Sequence, residues 1–327
     1  AEVAHTRLSS LFEMRLETHR RLALLDFTRY FSLTSKFLEV SESITERGIH
    51  GLKPHLAKQA KLYIEGYHNK KASSLSNMLE NENWNRAEVA TVFVQICERL
   101  YFPSRPLSLP EDNSSEEVML KEIELEGDRY IVVNSTLLFL RMVYDYLICL
   151  ETLPSLFVDI SDKITEFLAI YNSLVCQLVL GRGAVMTGTL KSVNATHLGL
   201  SYQSLWLMTI LIPKIKERLC RYKHTYCDTV STNLDKKYGD YQTHLLEIDA
   251  KFVALMTERL NQAFKGYKIE ENSQIPSGAM ETLLDKTRVL HKILRPFIPK
   301  QKFRSIFSQV VETYNRLIKA IVGSLPI

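Results

Sequence analysis

The sequence predicts an all-α protein, an elongated stack of antiparallel helical bundles carrying one small β-hairpin near residues 121–133. Apolar residues recur at helical spacing along most of the chain. Only 12 glycines and 10 prolines interrupt 327 residues, too few for the many turns of a sandwich or barrel. A composition of 46% hydrophobic and 24% charged residues fits a packed chain rather than a disordered one, and this length can bury a substantial core. The expected organisation is an N-terminal helical segment over 1–102, an acidic Pro/Ser linker over 103–128 and a C-terminal helical bundle domain over 129–327.

The elements follow in order. Leu8, Leu11, Phe12, Leu16, His19, Leu22 and Ala23, then further apolar residues to Phe37, predict a long amphipathic helix or a bent pair ending near Gly48 and Gly51. Pro54 opens a second helix in the manner of a first-turn proline, striped by Leu56, Ala60, Tyr63, Ile64 and Tyr67 and running to about Leu79. Asn81–Trp84 reads as a turn, followed by a shorter helix from Ala87 to Tyr101. Pro103, Pro106 and Pro110 with Ser114 and Ser115 mark a flexible linker. Ile123 and Leu125 then alternate with glutamates ahead of Gly127-Asp128 and Tyr130–Val133, which suggests a hairpin turning at Gly127-Asp128. An isolated hairpin is marginal, so it must lean on the helical body.

Helices are expected over Leu137–Leu150 and Phe157–Leu180, separated at Leu153-Pro154. Gly181 to Gly188 breaks the second, and a helix from about Thr189 carries Leu190, Val193, Leu198, Leu205 and Met208, with a kink expected at Pro213. Leu234, Tyr238, Tyr241, Leu245, Ile248, Phe252 and Leu255 alternate spacings of four and three, a coiled-coil-like seam that passes straight through Gly239. After a loop from Gly266 to Gly278, Leu283, Leu290 and Leu294 mark another helix that Pro296 and Pro299 end. The final stripe is Phe303, Ile306, Phe307, Val310, Tyr314, Leu317, Ile318 and Ile321, in which Phe307 and Leu317 are expected to be buried. Trp84 and Trp206 read as packing residues.

Chemistry is sparse. No HExxH and no nucleophile elbow occurs, and carboxylate pairs such as Glu116-Glu117 fall in the linker or on helix faces, so no catalytic residue is expected. Gly181-Arg182-Gly183 follows a helix rather than a strand, so the first glycine is expected to end that helix in the left-handed conformation instead of cradling a phosphate. Cys220, His224 and Cys227 have metal-ligand spacing on a predicted helix face, yet nothing nearby supplies a fourth ligand, and neither metal nor cofactor is expected. The five cysteines lack the density of a disulfide scaffold and suit a reducing cytosol. No signal peptide is evident, and the longest apolar stretch, Leu198–Ile212, is too short to span a bilayer. The chain starts at Ala1 with helical periodicity almost at once, as expected for an excised part of a longer protein.

Charge is more informative in distribution than in sum. A net charge of +4 gives no bulk case for nucleic acid. Residues 111–128 are acidic, with only Lys121 opposing. Lys286, Arg288, Lys292, Arg295, Lys300, Lys302 and Arg304 form a basic run with no acid between Lys286 and Arg304. Such a run suits an anionic membrane surface or an acidic partner, and equally a solvated helix end. Lys286, Lys292, Arg295, Lys300, Lys302 and Arg304 are the candidate interaction surface.

Three segments together carry a family resemblance: Leu79-Glu80-Asn81-Glu82-Asn83-Trp84 with Ala87-Glu88-Val89; Val133–Leu150 with Leu153-Pro154-Ser155; and Cys176–Leu200. The third is the most specific, with Cys-Gln-Leu-Val-Leu-Gly-x-Gly-Ala ahead of Leu-Lys-Ser. Their order and spacing resemble the C-terminal half of the vacuolar protein sorting protein fifty-four family, subunits of the Golgi-associated retrograde protein (GARP) complex. The resemblance covers Leu75 to Ile212 and continues toward the C-terminus; before residue 75 it rests on helix order. The chain departs from the pattern at Arg182 and at Met186-Thr187-Gly188.

The resemblance implies a non-enzymatic subunit of a rod-like helical tether, of the type shared with exocyst and conserved oligomeric Golgi subunits. It implies capture of endosome-derived carriers at the trans-Golgi network and promotion of SNARE-mediated fusion. The implied partners are other GARP-type subunits, with SNAREs and small GTPases reached through the full complex. The implied location is peripheral, on the cytosolic face of the trans-Golgi network and endosomes.

Overall fold

The computed structural model describes residues 2–45, 52–108, 119–181, 183–222, 224–263, 265 and 278–323. Helices dominate, as the periodicity predicts. The first four are α1 (Glu2–Met14), α2 (Leu16–Arg20), α3 (Leu24–Thr45) and α4 (Leu52–Glu80). The predicted first helix is thus interrupted twice, at Arg15 and again before Leu24. At the second break the Tyr63 hydroxyl of α4 donates to the Leu22 carbonyl (3.3 Å), meeting an acceptor outside the helical ladder. Gln59 of α4 ties the same region together: its amide donates to the Phe12 carbonyl (2.7 Å), and its oxygen accepts the Tyr30 hydroxyl (2.7 Å). Phe27 stacks on Tyr63 at 3.6 Å between ring centres. Gly48 and Gly51 lie outside the described residues, and Pro54 sits in the first turn of α4 as predicted.

The helix expected from Ala87 begins later, as α5 (Thr91–Tyr101). Residues 87–90 run extended because their backbone pairs across the chain. The Ala87 N–H donates to the Val132 carbonyl, and β1 (Val89–Ala90) pairs antiparallel with β2 (Met119–Leu120). The predicted hairpin is present as β3 (Ile123–Leu125) and β4 (Asp128–Tyr130), with Ile123 opposite Tyr130 and Leu125 opposite Asp128. Its turn is Glu126-Gly127, one residue earlier than predicted. Both turn residues have positive φ (49° and 87°), which matches a right-twisted two-residue hairpin turn. Ile123, Leu125 and Tyr130 are buried, and Tyr130 packs on Trp206 at 5.0 Å. Residues 109–118 of the predicted linker lie outside the described residues. Leu107 before them is buried, and the Ser108 carbonyl accepts the Tyr144 hydroxyl at 2.7 Å.

The body continues with α6 (Asn134–Thr152), a 3-10 turn (Pro154–Leu156) and α7 (Phe157–Val179). A single turn, α8 (Gly183–Met186), precedes α9 (Ala195–Tyr222). After a 3-10 turn at His224–Tyr226 come α10 (Cys227–Ala263), α11 (Gly278–Leu294) and α12 (Lys300–Gly323). Helix α10 lies along α9 and also meets α7, α11 and α12, while α4 packs on α6 and α7. The centre is apolar and aromatic. Phe139 of α6 stacks on Tyr171 and Phe167 of α7 at 4.1 and 5.3 Å. The Tyr171 and Thr136 hydroxyls lie 2.9 Å apart, and Thr136 donates to Ser204 of α9.

Several expectations are corrected here. The helix expected from Thr189 starts at Ala195, because Asn194 caps it: Asn194 Oδ1 accepts the N–H groups of Thr196 and His197 at 2.9 and 3.0 Å. Leu190 and Val193 precede it in irregular chain. Gly181 is not left-handed; the positive-φ glycine of this break is Gly188. Gly181 is required by proximity instead, since a Cβ there would lie 2.7 Å from the Gln177 carbonyl oxygen.

Cys220 and Cys227 do not share a helix face, because α9 ends at Tyr222 and α10 begins at Cys227. They meet across the corner as a disulfide, with Cα atoms 4.8 Å apart. In the final stripe Ile306 and Val310 are the buried residues among those described. Phe307 and Leu317 are only half-buried, because α12 packs on α10 along one edge. Gly239 sits inside α10 with open space at its Cβ position, as the continuous seam predicts. Among the described residues no helix is long and apolar enough to cross a membrane.

Candidate interaction surface

The basic run occupies the end of α11, the turn 295–299 and the start of α12. Backbone bonds form the corner: the N–H groups of Phe297 and Ile298 both donate to the Leu294 carbonyl. Two contacts then lock it onto α9. The Phe297 ring lies so close to Gly199 that a Cβ there would sit 2.6 Å from it. The Gln203 amide donates to the Phe297 carbonyl, while its oxygen accepts the Ile131 N–H at 3.1 Å. One buried side chain therefore joins the exit of the hairpin to the α11–α12 corner.

On this rigid corner Lys292, Arg295, Lys300, Lys302 and Arg304 are exposed, and Lys286 is half-buried. Arg288 pairs with Asp285 at 3.2 Å. None of the other six makes an ion pair among the described residues. Lys302 exerts an attractive field on Asp249 of α10, whose carboxyl is nevertheless pushed up to about 6, burial being the larger influence. Beside the bases runs a groove of roughly 630 Å³ lined by His291, Phe303, Arg304, Phe307, Ser308, Val311 and Glu312. Val289 and Val311 leave 55% and 53% of their surface exposed on the same helix pair. The half-open apolar strip beside the bases was not foreseen from the sequence, which assigned Phe307 to the core.

The distinctive segments behave differently. Glu82 is buried, and its carboxylate accepts the Trp84 N–H (3.3 Å) and the Ser135 N–H (2.8 Å). It thereby caps the N-terminus of α6 from the end of α4, where a negative charge is favoured. Trp84 is buried with φ at +52°. Arg218 of α9 is buried and donates to the carbonyls of Arg99, Phe102 and Arg105 at 2.6, 3.0 and 2.9 Å, closing the C-terminal end of α5. Between α4, α6 and α7, Tyr67 donates to Asp145 (3.1 Å), and His68 Nδ1 meets the Tyr146 hydroxyl (2.8 Å). Burial holds the His68 imidazole below its ordinary value against the opposing charge of Glu166. Through these contacts residues from 1–102 and 129–327 share one polar seam.

Comparison with known proteins bears on this arrangement. Residues 127–259 match the family model described as Vps54-like protein. The chain is 26% identical to human vacuolar protein sorting-associated protein 54 over 99% of its own length and 33% of the relative's. It is 27% identical to the Drosophila melanogaster protein of that name over 86% of its length and 29% of the relative's. The Arabidopsis thaliana relative is 25% identical over 100% of the chain and 39% of its own length. The chain thus spans about a third of the length of the curated relatives it matches. No solved structure matches. The matched region contains the α6–α7–α9 body and most of α10, and the similarity to the relatives runs nearly end to end, so the chain is similar to Vps54 proteins, consistent with a C-terminal fragment of such a protein.

Proposed function

We propose that the chain is the helical scaffold and docking part of a non-catalytic subunit of a GARP-type vesicle-tethering complex. In this reading it acts in retrograde transport from endosomes to the trans-Golgi network, peripherally on the cytosolic face. The observation that carries the proposal is the similarity to Vps54 relatives over 99% of the chain. The inward-facing roles of Glu82, Arg218 and Gln203 support it, since they connect helices rather than line a reaction centre. Partners reached by the whole assembly would include the other tether subunits, SNAREs and small GTPases.

The test is replacement of the corresponding third of a full-length Vps54 relative by this chain in cells lacking that protein. Co-purification of the other tether subunits and return of a recycling cargo to the trans-Golgi network are the expected results. A stably expressed replacement that restores neither overturns the proposal.

A second reading has its own observation: the exposed cations Lys292, Arg295, Lys300, Lys302 and Arg304, without ion-pair partners among the described residues, share one corner and suit direct binding to anionic lipid. Sedimentation with phosphatidylserine vesicles at low salt, abolished by Lys292→Glu, Arg295→Glu and Lys302→Glu together, is the expected result. Absence of binding at low salt removes this reading and leaves a protein partner for the corner.

A further inference from the structure

Three side chains from two helices distant in sequence meet at one seam of the body. Cys176, in the last turn of α7, opens the distinctive Cys-Gln-Leu-Val-Leu-Gly string, and His244 and Glu247 stand three residues apart on α10. That spacing puts both on one helix face. The Cys176 sulfur, a ring nitrogen of His244 and a carboxylate oxygen of Glu247 all lie within 4.8 Å of one another. Tetrahedral bonds of about 2.0–2.3 Å space ligand atoms about 3.5 Å apart, so side-chain adjustment alone would close the set.

The surroundings suit a cation. His244 Nδ1 lies 2.8 Å from Oδ1 of the buried Asn172, so an Nδ1–H donated there leaves the lone pair on Nε2. An imidazole oriented through its other nitrogen is the usual arrangement behind a metal ligand. The Cys176 thiol sits 3.8 Å from Glu247 Oε2, and burial together with the Glu247 charge pushes its pKa up. The nearest cation lining the cleft, Lys237, is already paired with Asp240 at 3.0 Å. The cluster therefore has donors of three kinds and no positive charge of its own. A cleft of roughly 520 Å³, lined by Cys176, His244 and Asn172 among others, leaves room for water as a fourth ligand.

We propose that Cys176, His244 and Glu247 form a binding site for a borderline-soft divalent cation of the zinc class, which would pin the end of α7 to α10 beside the Gly181 break. Binding exchanges the thiol proton for the metal: the S–H bond breaks, the proton leaves to solvent and the sulfur lone pair takes the cation. The competing reading is a plain thiol-to-carboxylate hydrogen bond at a helix seam.

The experiment is a cobalt(II) titration of the whole chain under a non-thiol reductant, in a Cys220→Ser, Cys227→Ser background so that no other helix-corner thiols can ligate. The expected result is one cobalt per chain with a near-ultraviolet sulfur-to-cobalt charge-transfer band, displaced by zinc. Cys176→Ser abolishes the band, and His244→Gln and Glu247→Gln each weaken affinity at least about tenfold. Far-ultraviolet circular dichroism checks that each variant is folded; Glu247 is exposed, so its variant reports on ligation without core damage. No charge-transfer band, or one that survives Cys176→Ser, overturns the proposal.

Discussion

Around α6 the most distinctive residues face inward, whereas at the α11–α12 corner the charged residues face solvent. Glu82 caps a helix 53 residues away in sequence, Arg218 gathers three carbonyls, and Phe139 and Tyr171 stack between helices. At the corner the apolar residues Leu290, Leu294, Phe297, Ile298, Ile306 and Val310 are buried in the seam, while Lys292, Arg295 and Lys302 are exposed and have no ion-pair partner among the described residues. The contrast teaches that the segments carrying the family resemblance specify how helices meet, while the exposed basic corner lies outside those segments.

Stability measurements are the most forceful way to break this comparison. Phe139→Ala removes a fully buried ring and should cost about 3–5 kcal/mol, whereas Phe307→Ala on the half-open strip should cost roughly 1 kcal/mol. Denaturant midpoints at constant slope read the difference; equal losses would erase the distinction between the two regions.

Two glycines sharpen it next. Gly199→Ala drives a methyl into the Phe297 ring and should destabilise by about 1–3 kcal/mol, loosening the corner from α9. Gly239→Ala meets nothing within 4 Å inside a helix and should stabilise by about 0.5–1 kcal/mol. Thermal melts moving in the same direction for both would contradict the placement of Phe297.

The two regions also differ in the sign of their pH response. His68 in the central seam has a lowered pKa, so the unfolded chain binds more protons than the folded one below about pH 6.5. Its contribution is present above that value and is lost as pH falls. Asp249 near Lys302 is raised to about 6, so its contribution is present below the ordinary carboxylate value and is lost as pH rises through about 6. Asp249→Asn should therefore stabilise the chain at pH 8, by no more than about 1–2 kcal/mol after solvent screening, and leave it unchanged near pH 4. A stabilisation independent of pH would show that the carboxylate charge is not the cause.

Much of this was legible in the sequence because helix-period patterning survives packing. The α10 seam, the hairpin, the Pro54 start and the basic corner all follow from local residues. What was not legible depended on partners distant along the chain. Residues 87–90 are extended because residues 119–120 and 132 pair with them, which no local propensity reports. Gly181 looked like a left-handed cap, yet its constraint is contact with the carbonyl of Gln177. Cys220 and Cys227 were separated by a helix break, and Cys176, His244 and Glu247 were joined by helix packing across 71 residues. Phe307 was assigned to the core because a stripe reports which face is apolar, not how much of that face is covered.

The central proposal is that the corner recognises a partner surface while the body holds shape. It is tested most directly by the triple variant Lys292→Glu, Arg295→Glu, Lys302→Glu in the full-length replacement described above. The account predicts a melting midpoint for the isolated chain within about 0.5 kcal/mol equivalent of the parent, as for exposed substitutions, together with lost recruitment to the trans-Golgi network. Recruitment equal to the parent's, or its loss only alongside a collapse in thermal stability, would contradict it.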